Sequence, residues 1–351
     1  MVKRIVIMSG GTGGHVFPAL AVAQLLAAQG WQVSWLGTQK GLESRVVPEH
    51  GIAIDWLPVA GIRGKGGLEK ILALGLLLKA FWQAGAVLRK RKPDVVLGMG
   101  GFVAGPGGVM AKLLGIPLVI HEQNRVPGTT NRLLARVANR VLEAFPGSFK
   151  AEVNAQCTGN PLRQQFLGKL EAKPDKTGGE VHILVVGGSQ GAQVLNERVP
   201  EALAALAEVK IRHQTGTAMQ AQVQEHYESL GVTAKVTAFI EDMAEAYQWA
   251  DLVVCRAGAM TVSEVAAAGV PAILVPLPNA IDDHQTANAR FLSEAGAGMV
   301  IIQQDLTPQV LLDRINQLMT RLDAMAKAAR ACARLDATDL VAAVCAQEAK
   351  P

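Results

Sequence analysis

The chain has 351 residues, half of them apolar and 18 % charged, with 36 Gly and 16 Pro; this length predicts two domains, and this composition excludes a disordered, collagen-like or coiled-coil chain. The net charge of +4 hides an asymmetry: residues 1–160 carry 18 Lys/Arg against 8 Asp/Glu, a net +10, and the remainder nets −6, so the first half is the one expected to meet a polyanion. The four cysteines show no CxxC or Cys/His ligand spacing, which argues against a disulfide framework or a zinc site and suits a reducing cytosol.

At the N-terminus, Val2-Lys3-Arg4 is basic, but the apolar stretch Ile5–Met8 runs straight into glycines and is too short for an export signal. A cytoplasmic protein is expected. Short β-branched runs then alternate with helical segments, the signature of parallel βαβ units. The first series of strands is expected at Arg4–Met8, Gln32–Leu36, Ala53–Leu57, Asp94–Met99, Pro117–Ile120 and Arg140–Ala144. A second follows at His182–Val186, Lys210–Gln214, Lys235–Phe239, Leu252–Cys255, Ala272–Val275 and Gly298–Ile302, with helices between, such as Phe17–Ala28 and Met260–Ala268. The polar stretch Gly168–Glu180, with three Lys, a Pro and two further Gly, reads as the linker between two doubly wound parallel sheets.

Three glycine-rich loops follow predicted strands: Gly10-Gly11-Thr12-Gly13-Gly14-His15, Gly98-Met99-Gly100-Gly101-Phe102 and Gly187-Gly188-Ser189-Gln190-Gly191. Each is either a tight strand-to-helix turn or a phosphate cradle, in which helix N-terminal amides face the anion. Equivalent loops opening both halves favour the cradle. A nicotinamide dinucleotide is disfavoured, because the first loop departs from GxGxxG and the second strand ends Leu36-Gly37-Thr38 without a ribose-binding carboxylate. No GK[ST] follows a glycine loop, and no Asp-x-Asp pair is present to carry a divalent metal. Asp282-Asp283 reads as a cap for the helix at His284. Without a metal, diphosphate charge falls to amides, helix ends and an arginine, and Arg163 stands at the junction of the halves.

Residues 61–92 hold eight Lys/Arg and one Glu around the apolar run Ile71–Leu78, followed by Lys79, Phe81 and Trp82. Eight apolar residues are too few to span a bilayer. The segment is either a buried crossover helix with a solvated basic end or an interfacial helix held by anionic headgroups. No recognition helix, RNP motif or aromatic interleaving supports a nucleic-acid partner.

GGTGGH at the first loop, HEQN at His121–Asn124, GNPLR at Gly159–Arg163, GGSQGA at Gly187–Ala192, CRAGAMTVSE at Cys255–Glu264 and DDHQ at Asp282–Gln285 occur in this order. Together they resemble the MurG family, glycosyltransferases that add N-acetylglucosamine to lipid I to make lipid II in peptidoglycan synthesis. The resemblance runs from residue 4 to about residue 340. It implies a GT-B fold: two Rossmann-like doubly wound domains facing a central cleft, residues 1–162 meeting the acceptor and membrane and 163–336 holding UDP-N-acetylglucosamine. A last helix near 337–349 would return to the first domain.

Carried over by position, the resemblance puts Arg163 and Ser189 on the donor diphosphate and the main chain of Ile240 on the uracil. Ala259, Met260, Thr261, Val262 and Ser263 would line the diphosphate and sugar, and Glu264 would accept from the ribose hydroxyls. His284 and Gln285 would read the sugar hydroxyls, with Thr12, Gly13, Gly14 and Asn124 along the cleft. Phe102 stands where the family often has Tyr, so any role for a phenol hydroxyl there is lost and aromatic packing remains.

An α-linked donor and a β-1,4 product imply one in-line displacement with inversion, with no cofactor and no metal. His15 is the first choice for the base, because an imidazole titrates near neutral pH and a helix N-terminus favours its neutral form; the alternative for His15 is a contact to the acceptor diphosphate. Glu122 is the second choice, as base or as partner to a histidine. His121 reads as a strand-end residue with a structural hydrogen bond. The implied place of action is the cytoplasmic face of the inner membrane, as a peripheral protein on an anionic surface. A UDP-sugar 2-epimerase is the rival reading, since it shares fold and donor site but needs no acceptor.

Overall fold

The structure is a computed structural model that describes residues 2–58, 67–170, 179–188, 190–278 and 280–350; of these, only the backbone is described at 67–74, 165 and 281. The chain forms two compact units, Met1–Arg163 with Leu335–Pro351, and Gln164–Arg334.

The first unit carries seven parallel strands: β1 (Arg4–Met8), β2 (Gln32–Gly37), β3 (Ala53–Trp56), β4 (Val95–Gly98), β5 (Leu118–Glu122), β6 (Arg140–Glu143) and the short β7 (Gln156–Cys157). Their order is β3-β2-β1-β4-β5-β6-β7. Helices α1 (Gly13–Ala28), α2 (Glu43–Glu49), α3 (Gly67–Arg91), α4 (Gly101–Leu113) and α5 (Thr129–Leu134) cross between them. The central strands are apolar on both faces, as a sheet covered by helices on both sides requires: Ile5 and Ile7 pack with Leu20 and Leu26 of α1, while Val6 and Met8 pack with Ala104 of α4 and Leu88 of α3.

The second unit repeats the design with β8 (Val181–Val186), β9 (Val209–Gln214), β10 (Ala234–Thr237), β11 (Leu252–Cys255), β12 (Ala272–Leu274) and β13 (Gly298–Val300), in the order β10-β9-β8-β11-β12-β13. Its helices are α6 (Gln164–Leu167), α7 (Gln193–Leu203), α8 (Gln220–Ser229), α9 (Met243–Trp249), α10 (Ala259–Ala268), α11 (His284–Glu294), α12 (Pro308–Met319) and α13 (Leu322–Cys332). The last helix, α14 (Ala337–Glu348), belongs to the first unit, where Val341, Val344 and Cys345 join the core beside α1.

In each sheet the winding reverses between the first and fourth strands of its series, where Met8 is paired with Gly98 and Val186 with Cys255. The carboxyl ends of strands at such a reversal open a crevice for ligand. All three glycine loops lie there. Most of the linker read at Gly168–Glu180 falls outside the described residues.

Candidate active site

In the first unit, the loop after β1 and the loop after β4 are built against each other. Gly100 and Gly101 have positive φ (89° and 77°), and a Cβ on Gly101 would stand 2.5 Å from the Gly10 carbonyl oxygen. Only glycine fits there. Thr12 caps α1 in an extended conformation without a side-chain cap bond, and the first amides bonding back to its carbonyl are those of His15 and Val16. The amides of Gly13 and Gly14 thus belong to the open first turn, the part of a helix that receives anions. Helix α1 begins four residues before the expected Phe17, because its first turn is the glycine loop itself.

The loop after β1 is pinned by a residue that the sequence reading missed. Glu43, fully buried at the start of α2, accepts from the Gly11 amide (2.9 Å), the Thr38 amide (2.8 Å) and the Thr38 hydroxyl (2.7 Å). The glycines around it, Gly10, Gly37 and Gly41, leave no room for a Cβ beside its carboxylate and stem.

His15, half-buried in the first turn of α1, sits with Nδ1 2.6 Å from Gln123 Oε1 and with Gly100 against its ring. His121 is buried at the end of β5, its Nε2 2.9 Å from the Gly159 carbonyl, and burial lowers its pKa to about 4. Glu122, the other base considered, is engaged elsewhere. At 1 % exposure its carboxylate accepts from the Asn124 amide and side chain (2.9 and 3.2 Å), the Gly128 amide (3.0 Å) and Asn131 Nδ2 (2.9 Å). Four donors on a buried carboxylate make it the organiser of the loop after β5, with Asn124 as its partner. Arg163 closes this unit with its guanidinium 5.1 Å from the centre of the Phe17 ring.

In the second unit, Gln214 at the end of β9 was also missed. Its Oε1 accepts from the Gly188 amide, and its Nε2 donates to the carbonyls of Gly188 and Ala238, each at 3.0 Å. One amide thus ties the glycine loop after β8 to the segment that leads into Ile240. Ser189 lies outside the described residues. Helix α10 opens on Gly258 with no side-chain cap, and the first amide to bond back to the Gly258 carbonyl is that of Val262. The amides of Ala259, Met260 and Thr261 therefore form an open helix N-terminus at the end of β11. The Val262 side chain is fully buried and its amide bonds back to the Gly258 carbonyl at 2.9 Å. Ser263 donates its hydroxyl to the Ala259 carbonyl (2.9 Å).

Glu264, in the second turn of α10, has the Tyr247 hydroxyl 3.5 Å away. Burial, with the Glu264 charge adding, pushes the neighbouring Cys255 thiol up to about 12, so it stays protonated. Gln285 accepts the Leu277 amide at 3.0 Å, and His284 begins α11. The expected Asp283 cap takes another form: Asp282 and Asp283 both have left-handed backbone (φ 56° and 52°), and Asp283 accepts from the Thr286 hydroxyl (2.7 Å) instead of a backbone amide. Two successive non-glycine residues in that region store strain at the loop. Among the described residues, no group of three or more His, Cys, Asp or Glu side chains is placed to hold a metal ion.

The described part of α3 shows a face of another kind. Leu78, Lys79, Trp82, Ala86, Arg89 and Lys90 form one exposed stripe at helical spacing, opposite the buried Ala80, Ala84 and Leu88. Leu78 is 63 % exposed and Trp82 73 %, and α4, packed beside α3, adds Phe102 at 60 % and Leu113 at 72 %. Among the described residues, no helix is long and apolar enough to cross a membrane.

Residues 5–143 match the glycosyltransferase family 28 N-terminal domain, and residues 182–344 its C-terminal domain. The chain is 61 % identical, over 99 % of both chains, to the UDP-N-acetylglucosamine–N-acetylmuramyl-(pentapeptide) pyrophosphoryl-undecaprenol N-acetylglucosamine transferase of Methylococcus capsulatus. The crystal structure of Acinetobacter baumannii MurG superposes with a TM-score of 0.85 at 46 % identity, covering 98 % of this chain and 99 % of that one. A UDP-GlcNAc 2-epimerase from Neisseria meningitidis shares the fold alone, with a TM-score of 0.67 at 13 % identity over 99 % of this chain and all of the other. The two doubly wound units are therefore of the GT-B type.

Proposed function

We propose that this chain, which belongs to glycosyltransferase family 28, transfers N-acetylglucosamine from UDP-N-acetylglucosamine to the C4 hydroxyl of the N-acetylmuramyl sugar of lipid I, giving the β-1,4 linkage of lipid II. The observation that carries this reading is identity of 61 % along the full length of a transferase named for that reaction. The epimerase reading has only the shared fold behind it.

The donor belongs to the second unit. The open N-terminus of α10 at Ala259, Met260 and Thr261, with the glycine loop and Ser189, supplies amides and dipole to the diphosphate. Arg163 adds its charge. The main chain at Ile240 reads the uracil, Glu264 accepts from the ribose hydroxyls, and His284 and Gln285 contact the sugar. Gln285 must release the Leu277 amide, or use its amide nitrogen, to do so.

The acceptor belongs to the first unit, with Thr12, Gly13, Gly14 and Asn124 along its path. His15 is the base. As the C4 oxygen attacks the anomeric carbon, its O–H bond breaks and the proton passes to His15. The bond from the anomeric carbon to UDP breaks with its electron pair on the β-phosphate oxygen, inverting the centre. The stripe on α3 and the neighbouring α4 positions rest on the anionic cytoplasmic face of the membrane, apolar side chains among the headgroups and cations beside them.

The test is UDP release from UDP-N-acetylglucosamine, with and without a lipid I analogue, in EDTA. Release that requires acceptor and ignores EDTA is the expected result. Turnover of donor alone to an epimerised sugar would overturn the assignment.

A further inference from the structure

A chain of hydrogen bonds in the first unit determines where the protons on His15 reside. It starts at two backbone carbonyls, which can only accept. The Gly159 carbonyl faces His121 Nε2 at 2.9 Å, so that nitrogen carries hydrogen. Burial keeps His121 neutral, which leaves its Nδ1 as an acceptor. Gln123 Nε2 lies 3.0 Å from that Nδ1 and 3.0 Å from the His121 carbonyl, so both amide hydrogens are used and the amide cannot flip without setting oxygen against oxygen. Its Oε1 is therefore the atom that faces His15 Nδ1 at 2.6 Å, and a carbonyl oxygen there requires an N–H on His15. Asn160 Nδ2, donating to the Gln123 carbonyl at 3.1 Å, and Asn131 Nδ2, donating to the His121 carbonyl at 3.1 Å, hold the two backbones that carry the chain.

We infer that Gln123 is a positioning residue which, anchored by His121, holds neutral His15 with its hydrogen on Nδ1 and so presents Nε2 as the lone-pair nitrogen that takes the acceptor hydroxyl's proton. The inference deepens the proposed function and rests on its choice of His15 as base. The relay stores no second proton. When Nε2 is protonated, the Nδ1–H stays on Gln123, which meets the new charge with an amide dipole instead of the carboxylate that orients many catalytic histidines.

The experiment uses the full chain with nitrogen-15-labelled histidine. His15 is assigned by the loss of its signals in His15→Ala, and ring proton–nitrogen correlations are recorded at a pH high enough to keep the ring neutral. The expected wild-type spectrum has a protonated His15 Nδ1 and a bare Nε2; the reverse pattern, or an even mixture, overturns the inference and needs no further variant. In Gln123→Met, close in volume but without the amide, His15 should redistribute between tautomers. Its kcat should fall at least about tenfold, and by no more than the roughly 10²–10⁴-fold that a general base supplies, with KM for the donor unchanged. An unaltered tautomer in that variant overturns the relay. A redistributed tautomer with unchanged kcat supports the relay and removes His15 as base, so the two failures are told apart.

Discussion

Buried carboxylates do much of the shaping at single positions in the first unit. Glu43, Glu122 and Glu143 are each buried and each gather loop amides; Glu143 accepts from those of Gly147 (2.9 Å) and Phe149 (3.1 Å). Bonds from several amides to a charged acceptor are stronger than neutral ones and orient a loop without a metal. Glu43→Gln is the informative substitution, because it keeps the volume and turns one acceptor oxygen into a donor facing other donors. Leaving a buried amide unpaired costs about 1–3 kcal/mol, more where a charged partner is lost. Denaturant unfolding should show the first unit weakened by that amount, and UDP release should slow as the loop bearing Thr12 and His15 loosens. Unchanged stability and turnover would mean that the loop holds its shape unaided. Nothing in the residue pattern marked Glu43, since a lone Glu after Gly-Leu looks like any helix start; its role appears only when Gly10, Gly37 and Gly41 are brought around it. Gln123 and Gln214 carried a weak signal, as polar residues at or just beyond the carboxyl ends of strands.

At the scale of the element, helices α3 and α4 show how one segment satisfies two environments. The face of α3 with Ala80, Ala84 and Leu88 uses small residues to lie close to the sheet and α4, while the opposite stripe leaves Leu78 and Trp82 in solvent. These exposed apolar side chains on neighbouring helices, with the cations Lys79, Arg89 and Lys90 on the same stripe, are what the proposed contact with an anionic membrane rests on. Burying a side chain of this size is worth about 1.5–3 kcal/mol, so Trp82→Ser should weaken binding to anionic vesicles roughly ten- to a hundredfold. UDP release from donor with a soluble acceptor should be unchanged. Co-sedimentation at rising salt reads both contributions, and equal binding to neutral and anionic vesicles would count against the electrostatic part. The sequence left this segment open between a buried and an interfacial helix. Its run Ile71–Leu78 is apolar without period, and the register of the buried face becomes visible only from Ala80 onward.

Across the whole molecule, the sheets were the most legible feature, because most strands are short apolar runs that include β-branched residues. Strands β1 and β11 match expectation to the residue, and the others shift by one or two positions at their ends. The two-residue β7 carries too short a pattern to be seen. What periodicity alone could not convey is how distant stretches of chain share one core. Helix α14 adds Val341, Val344 and Cys345 to the core that Leu20 and Leu26 of α1 build on β1. Thr338 donates to the Leu162 carbonyl at 2.9 Å, and Arg140 pairs with Glu348 at 2.9 Å. Removing residues 335–351 would strip these side chains from the core and uncover the Leu20 and Leu26 surface they cover, at about 1.5–3 kcal/mol for each lost, which together approaches the roughly 5–15 kcal/mol that holds an ordinary domain. The truncated chain should therefore lose the first unit's cooperative calorimetric transition and yield rapidly to protease within residues 1–163, while the second unit, whose core draws nothing from α14, keeps its own transition. Survival of both transitions would mean that α14 is an appendage of the first unit and not part of its core.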